Sequence, residues 1–400
     1  MEIRTLTPDD IPYHDRLMSE AFGRGARPTW DTAQDAEKRA ELSLCNRTGV
    51  FDGIRLVATA TVLDMSVYWD SQIVRLGGIA GVACTADRRG EGHVGALLNR
   101  NLIDMRESGQ FISGLNPFAF GFYRRYGWDW VGEKRITTLP FELLEAHAES
   151  RNVVMFEGLD AKEKAAVVYD NSVKRYRGAV ARDQTVFPNF WKRTLDHHDG
   201  RTTYVHVYQS PSTGEPEGYF ICSLPGSGDK MIVPEFFAET PRAESGLLGA
   251  LHYYGTQFKL VELTRPFDDP LTLSIMHWDV DVKLKPLFMG RIVDLTAAFA
   301  GLDAPDSVRG EAVISVTDSH CDWNNGSFKL VVEGGRITVN RTTGNPDVVT
   351  DIQILTQAYW GRPGLAALRD AGRVIVTGED GYKLLSKLLP ESNSYVGDFF

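Results

Sequence analysis

The residues best able to do chemistry lie in one run, Val82-Ala83-Cys84-Thr85-Ala86-Asp87-Arg88-Arg89-Gly90-Glu91-Gly92-His93-Val94-Gly95-Ala96-Leu97-Leu98. An apolar strand passes there into a basic, glycine-rich turn and then into a helix. Successive backbone N–H groups in such a turn, backed by the helix N-terminus, form a site for a pyrophosphate. Glycine matters because a Cβ would block the approach of backbone to phosphate oxygens. An Arg at the turn adds charge-assisted hydrogen bonds. Further on, Asn116-Pro117-Phe118-Ala119-Phe120-Gly121-Phe122-Tyr123-Arg124-Arg125-Tyr126-Gly127-Trp128 sets two phenols, Tyr123 and Tyr126, in an aromatic stretch. A phenol is a neutral proton donor near pH 7. Cys84 invites a covalent reading, but its strand position reads as a small buried hydrophobe. His197-His198, between Asp196 and Asp199, reads as solvated rather than metal-binding, and Gly226-Ser227-Gly228-Asp229-Lys230 as a turn with the wrong spacing for a phosphate loop.

Composition narrows the class. The chain has 400 residues, with 43 Lys plus Arg against 53 Asp plus Glu, a formal charge of −10. That balance disfavours a nucleic-acid partner, which needs a basic face, and suits small cationic substrates. The four cysteines (Cys45, Cys84, Cys222, Cys321) are far apart, without CxxC spacing. Neither a disulfide framework nor a metal site is expected. The opening Met-Glu-Ile-Arg-Thr-Leu-Thr has no apolar signal core, and no run approaches a membrane span. The expectation is a cytoplasmic protein with no membrane partner.

The elements that must position these residues follow from periodicity. A strand is expected at 2–6, then a helix after Thr7-Pro8-Asp9, a cap followed by Pro in the first turn. Strands follow at 49–51, 56–63 and 74–84, a helix at 92–107 and a short strand at 111–115. This order is an α/β pattern. Composition turns polar at 145–152, and the order then begins again: a helix at 161–176, strands at 203–209, 218–224 and 230–237, and a helix at 244–254. A faint echo at an offset of 153 sets Arg242-Ala243-Glu244-Ser245 against Arg89-Gly90-Glu91-Gly92. From about 290 the texture changes. Strands at 313–317, 328–333 and 336–340, with a tight turn at Glu333-Gly334-Gly335-Arg336, precede a strand at 348–354 and helices at 363–371 and 381–389.

The two chemical segments together resemble the GNAT superfamily of acyl-CoA-dependent N-acetyltransferases. Its phosphate turn, Arg/Gln-x-x-Gly-x-Gly/Ala, is matched by Arg89, Gly92 and, imperfectly, Val94. Its later motif, an aromatic or aliphatic residue and then Tyr-x-x-x-Gly-aromatic, is matched by Phe122, Tyr123, Gly127 and Trp128. Over essentially the whole chain the sequence resembles the enhanced intracellular survival (Eis) family. Arg177-Gly178-Ala179-Val180-Ala181-Arg182-Asp183, the terminal Asp398-Phe399-Phe400 and a bulky Val94 also suit that family. Around Asn116–Phe118 the sequence lacks the small polar residues of the aminoglycoside-modifying members.

The resemblance implies an α/β (α+β) fold of three domains. They are a catalytic GNAT domain at 1–148, a GNAT-like domain with a degenerate CoA site at 149–289, and a sterol-carrier-protein-like α+β domain at 290–400. It implies acetyl-CoA as cosubstrate, no metal, a primary amine such as an aminoglycoside, polyamine or lysine-like acceptor, and a homo-oligomer, a hexamer. The cofactor would lie against Val82, Ala83, Cys84, Arg88, Arg89, Gly90, Gly92, His93 and Val94, the strand backbone pairing with the pantetheine arm as an added strand pairs with a sheet edge. Tyr123 matches the general acid that protonates the leaving thiolate, with Tyr126 the other candidate. The resemblance also implies that the α-carboxylate of Phe400 accepts the amine proton, anchored by the rings of Phe399 and Phe400. Trp30, near the acidic Asp31 and Asp35, falls in a loop that lines the amine pocket in that family, and Trp30 and Phe399 are the residues expected to contact the substrate. The rival readings are a lipid- or ligand-binding protein with an inactive GNAT module, and an acyltransferase for protein lysine using another acyl-CoA.

Overall fold

Long runs of alternating and β-branched residues make the first half a sheet of paired strands. In the computed structural model, which describes residues 1–23, 44–196, 201–224, 228–275 and 277–400, β1 (Glu2–Thr5) pairs antiparallel with β2 (Cys45–Asp52). β2 pairs antiparallel with β3 (Arg55–Trp69), and β3 with β4 (Gln72–Cys84). Trp30, Asp31, Asp35 and His197-His198 lie outside the described residues. The helix His93–Glu107 crosses back over the sheet, and β5 (Ile112–Leu115) then lies parallel to β4. That helix turns Leu97, Leu98, Asn101, Leu102 and Met105 inward, the spacing of one helical face. Each fully buried Leu contributes roughly 1.5–3 kcal/mol. Asn101 is buried among them because its Oδ1 accepts the Thr48 hydroxyl at 2.9 Å.

The second half repeats this plan and shares the same sheet. With β6 (Asp129–Pro140), β7 (Val153–Glu157), β8 (Thr203–Gln209), β9 (Pro216–Ser223), β10 (Lys230–Ala238), β11 (Leu260–Arg265) and β12 (Asp281–Ile292), the order is β1-β2-β3-β4-β5-β12-β6-β11-β10-β9-β8-β7. The halves exchange strands at the junction. β12, from the second half, pairs with β5 and β6, while β6, from the first, pairs with β11. Neither β6 nor β12 stands out in the sequence, and β12 runs through residues 289–290, where the sequence reading starts its last domain. A first half cut away alone would leave β5 without its β12 neighbour, an open edge bearing unpaired backbone groups.

The last part is a second sheet, β13 (Gly310–Thr317), β14 (Gly326–Glu333), β15 (Arg336–Arg341), β16 (Val348–Asp351) and β17 (Ile375–Val376), in the order β15-β14-β13-β16-β17. Here the expected strand at 348–354 is corrected. The strand stops at Asp351, whose side chain caps a helix, Ile352–Trp360. Most of that helix is buried on every side, so it carries no amphipathic period to read. It packs on the first half: Trp360 and Tyr359 each place a ring 4.9 Å from Trp69 of β3, within one cluster that includes Leu63, Met65 and Leu76.

In the second half, His206 on β8 is buried and stacked on Phe220, with ring centroids 4.3 Å apart. Burial lowers its pKa to about 4 from the usual 6.5. Between those values the unfolded chain binds a proton that the native state refuses, so stability falls as pH drops through this window. The loss is on the order of 3 kcal/mol. Urea midpoints at pH 7 and pH 4.5 should therefore differ more for the natural chain than for His206→Gln; equal differences would count against the assignment.

Candidate active site

The turn between β4 and the helix His93–Glu107 is built to leave backbone donors open. Gly90 and Gly92 take φ values of +86° and +84°, and a Cβ on either would meet open space. Gly92 is the N-cap of the helix, and no side chain caps it. The first N–H groups thus lack intrahelical partners, at the positive end of the helix dipole. They border a cleft of about 640 Å³ lined by Val82, Ala83, Cys84, Arg88, Arg89, Gly90, Gly92, His93, Val94, Gly95, Phe118, Phe122, Arg125 and Tyr126, with Ala21 and Phe22 of the first helix. All nine residues expected to bind cofactor line this one cleft.

Their charges are already partly engaged. Arg88 pairs with Asp52 at 2.7 Å and Glu91 at 3.0 Å, and His93 Nε2 lies 3.1 Å from Glu91. Among the described residues Arg89 bonds only to Cys84 O, at 3.4 Å, and is the cation better placed to turn to a ligand. Arg125, not singled out from the sequence, also lines the cleft, its guanidinium 5.3 Å from the Phe122 ring. Its signal was its place in the aromatic run; Phe22, distant in sequence, gave none. Cys84 is half-buried at the cleft wall rather than in the core, and burial raises its thiol above the usual value. A raised thiol argues against a nucleophile.

β4 and β5 part early. Their pairing ends at Gly78 and Gly114, while β4 runs on to Cys84 with no partner on that edge among the described residues. Tyr123 stands on the helix side of this gap, 3% exposed, in a cluster with Ile79, Leu98, Leu115 and Trp128. Burial raises its hydroxyl above the ordinary phenol value, so it stays protonated. Among the described residues no hydrogen bond holds it. Tyr126, by contrast, faces the cleft, and its hydroxyl lies so close to Gly95 that a Cβ there would sit 2.2 Å from it.

Phe400 lies on the opposite side of the gap. Its ring is 6.0 Å from that of Phe288 and 6.4 Å from that of Phe190. Two glycines make room: a Cβ on Gly78 would meet the Phe400 ring at 3.0 Å, and one on Gly114 would meet Phe288 at 2.0 Å. The Phe400 N–H donates to Asn116 Oδ1 at 3.2 Å, just past the end of β5. Phe399 does not share the anchorage expected of it, being 66% exposed. Asp398 takes that part, 5% exposed and bonded to Arg182. The tail therefore buries more than two rings, and Tyr395 and Val396 are in the core as well.

The second half keeps the same strand–helix unit but closes it. The helix Pro241–His252 is capped by Thr240, whose side chain accepts from Ala243 N at 3.2 Å, and Pro241 in its first turn has no N–H. Glu239 and Glu244 border that helix start, and the cations beside it are already paired, Arg242 with Glu149 at 2.9 Å and Arg265 with Glu244 at 3.1 Å, so the place is less open to a phosphate than the turn at Gly92.

Models of the acetyltransferase (GNAT) domain match residues 2–131 and, separately, 178–292, and a sterol carrier protein domain matches 295–397. It is an acetyltransferase built on two GNAT domains and a sterol carrier protein domain. Uncharacterized N-acetyltransferases of Streptomyces avermitilis and Streptomyces coelicolor resemble this acetyltransferase at 26% and 24% identity, covering 93% and 94% of the chain and 93% of each relative. A GCN5-related N-acetyltransferase from Anabaena variabilis has the same fold, with a TM-score of 0.85 at 20% identity over 100% of both chains. Eis1 from Mycobacterium abscessus does too, with a TM-score of 0.79 at 20% identity, again over 100% of both. These likenesses establish the fold of the acetyltransferase. Among its described residues no group of three His, Cys, Asp or Glu is arranged to hold a metal, and no helix is long and apolar enough to cross a membrane.

Proposed function

We propose that this acetyltransferase moves the acetyl group of acetyl-CoA to the nitrogen of a primary amine, with one cofactor site, in the domain spanning 1–148. The observation that carries the reading is the contrast between the two helix starts. Gly92 leaves its helix uncapped beside a 640 Å³ cleft, whereas Thr240 takes up one of the corresponding donors, Ala243 N, with its own side chain. The uncapped turn holds the pyrophosphate, with Arg89 supplying charge, and the open edge of β4 at Val82–Cys84 pairs with the pantetheine arm. The domain at 149–289 binds no CoA, and that at 290–400 brings the chain end across.

An alkyl amine of pKa near 10 must lose a proton before it attacks. The Phe400 α-carboxylate takes that proton, and the freed amine then attacks the thioester carbon. As the C–S bond breaks, Tyr123 gives its proton to the leaving sulfur, and the second proton of the acylated nitrogen restores the phenol, leaving a neutral amide and a thiol. The two groups stand on opposite sides of the β4–β5 gap, which suits a reaction that removes a proton at one end and supplies one at the other. The acceptor class is that of aminoglycosides, polyamines or lysine-like amines, and the Eis-like architecture suggests a cytoplasmic hexamer.

Calorimetric titration with acetyl-CoA should give one site per chain, and Gly92→Trp should abolish it. A panel of aminoglycosides, polyamines and lysine-rich peptides, followed by free CoA release, should yield at least one acceptor. Two sites per chain, or a Gly92→Trp protein that binds normally, would overturn the assignment.

A further inference from the structure

The middle domain has closed its own helix start yet surrounds the last residues of the chain. Arg182 is buried there with two carboxylates, Glu235 of β10 and Asp398 (side chains 1%, 7% and 3% exposed). Its Nη2 is 2.9 Å from Asp398 Oδ1, and it also pairs with Glu235. Tyr169 donates to Asp398 at 3.2 Å, and Tyr219 to Glu235 at 2.7 Å. The guanidinium lies 4.0 Å from the centre of the Tyr169 ring and 4.7 Å from that of Trp191. Burial works against the charge on Arg182, but Asp398 and Glu235 hold it well above the ordinary guanidinium range. The preceding residues are tied as well: Ser394 bridges Arg177 as a parallel partner, with Arg177 N bonded to Asn393 O at 3.2 Å.

Asp398 is thus fixed in the middle domain, and Phe400, two residues on, meets the first through Gly78 and through its N–H bond to Asn116, its ring lying near Phe190 and Phe288 of the middle domain. Phe399 spans the two, exposed. Two residues allow about 7 Å of chain, so the Asp398 anchor sets where Phe400 ends. We infer that the buried Arg182–Glu235–Asp398 cluster is a positioning device that sets the Phe400 carboxylate in the gap between β4 and β5. The middle domain, closed to CoA, is then the holder of the proton acceptor. The inference rests on the reading of that carboxylate as the base.

The charges make it testable without losing the fold. Removing Asp398 leaves Arg182 paired one-to-one with Glu235, whereas removing Arg182 would strand two carboxylates in the interior. Asp398→Ala is therefore the variant to use, with Asp398→Glu retaining the charge. The substrates are the best acceptor from the amine panel and its aminooxy analogue, which is neutral at pH 7 and needs no proton removed before attack. A displacement near an ångström costs on the order of 100-fold. Asp398→Ala should lower kcat about 10- to 100-fold for the amine but far less for the aminooxy analogue. KM for acetyl-CoA should stay within about twofold, and Asp398→Glu should recover part of the rate. Equal losses for both acceptors, or a fall in acetyl-CoA stoichiometry below one, would make the cluster merely structural and overturn the inference. A parallel protein extended by one residue beyond Phe400 separates the two claims. If it turns over normally, the base reading fails and the inference with it. If it is crippled while Asp398→Ala behaves like the natural chain, the inference alone fails.

Discussion

Extending the chain by a single glycine beyond Phe400 should reduce amine acetylation by at least about 100-fold while leaving acetyl-CoA binding intact. The extension turns the carboxylate into a neutral peptide carbonyl, removing both charge and basicity at that spot. It also pushes the new carboxylate up to ~3.6 Å along the chain, more than enough misplacement for such a loss. Deleting Phe400 fails in the other sense. The carboxylate then sits on Phe399, which is exposed, and the room beside Gly78 that the Phe400 ring fills is vacated. Phe400→Ala should fall between these and the natural chain, because the carboxylate and the N–H bond to Asn116 remain while the ring contacts with Phe288 and Phe190 are lost. Thermal midpoints should change little across the set, since Asp398, Val396 and Tyr395 still hold the tail. The measurement is kcat for the four proteins under saturating acetyl-CoA. Natural turnover in the extended protein would move the base to a side chain or an ordered water.

Tyr123→Phe should lower kcat by roughly 10²–10⁴-fold, about 3–5 kcal/mol of transition-state stabilisation, with acetyl-CoA affinity nearly unchanged. In the proposed mechanism the lost hydroxyl acts on the departing sulfur, an interaction made only as the bond breaks. Burial raises the Tyr123 hydroxyl above its ordinary value. A raised acid keeps its proton to higher pH, so the kcat profile should show no alkaline fall from this group below about pH 10. Tyr126→Phe is the discriminating control. Its hydroxyl faces the cleft beside Gly95, so its loss should affect acetyl-CoA binding more than turnover. A fully active Tyr123→Phe with a dead Tyr126→Phe would exchange the two roles.

The order strand, glycine turn, helix around Arg89 and Gly92 could be read from residue order alone, because each part depends only on near neighbours. The same holds for the tight turn at Glu333–Arg336 and for the inward face of the helix His93–Glu107, where burial recurs at helical spacing. Tyr123 and Gly127 were legible as a motif, but why a residue without a side chain must stand at Gly127 was not. A Cβ there would sit 1.2 Å from Nη1 of the buried Arg291, which pairs with Asp318 of the last domain. The exchange of β6 and β12 was invisible for a similar reason: pairing between strands so far apart in the chain leaves no local period. The helix Ile352–Trp360 was missed because a segment buried on nearly all sides shows no contrast between faces. What tertiary structure alone decided is the chain end. Arg182 and Asp398, 216 residues apart, meet only in the folded protein, and Gly78 and Gly114 become a seat for aromatic rings only once β4 and β5 lie side by side. Residue types set which groups could carry protons; the packing of three domains determined which of them face the same gap.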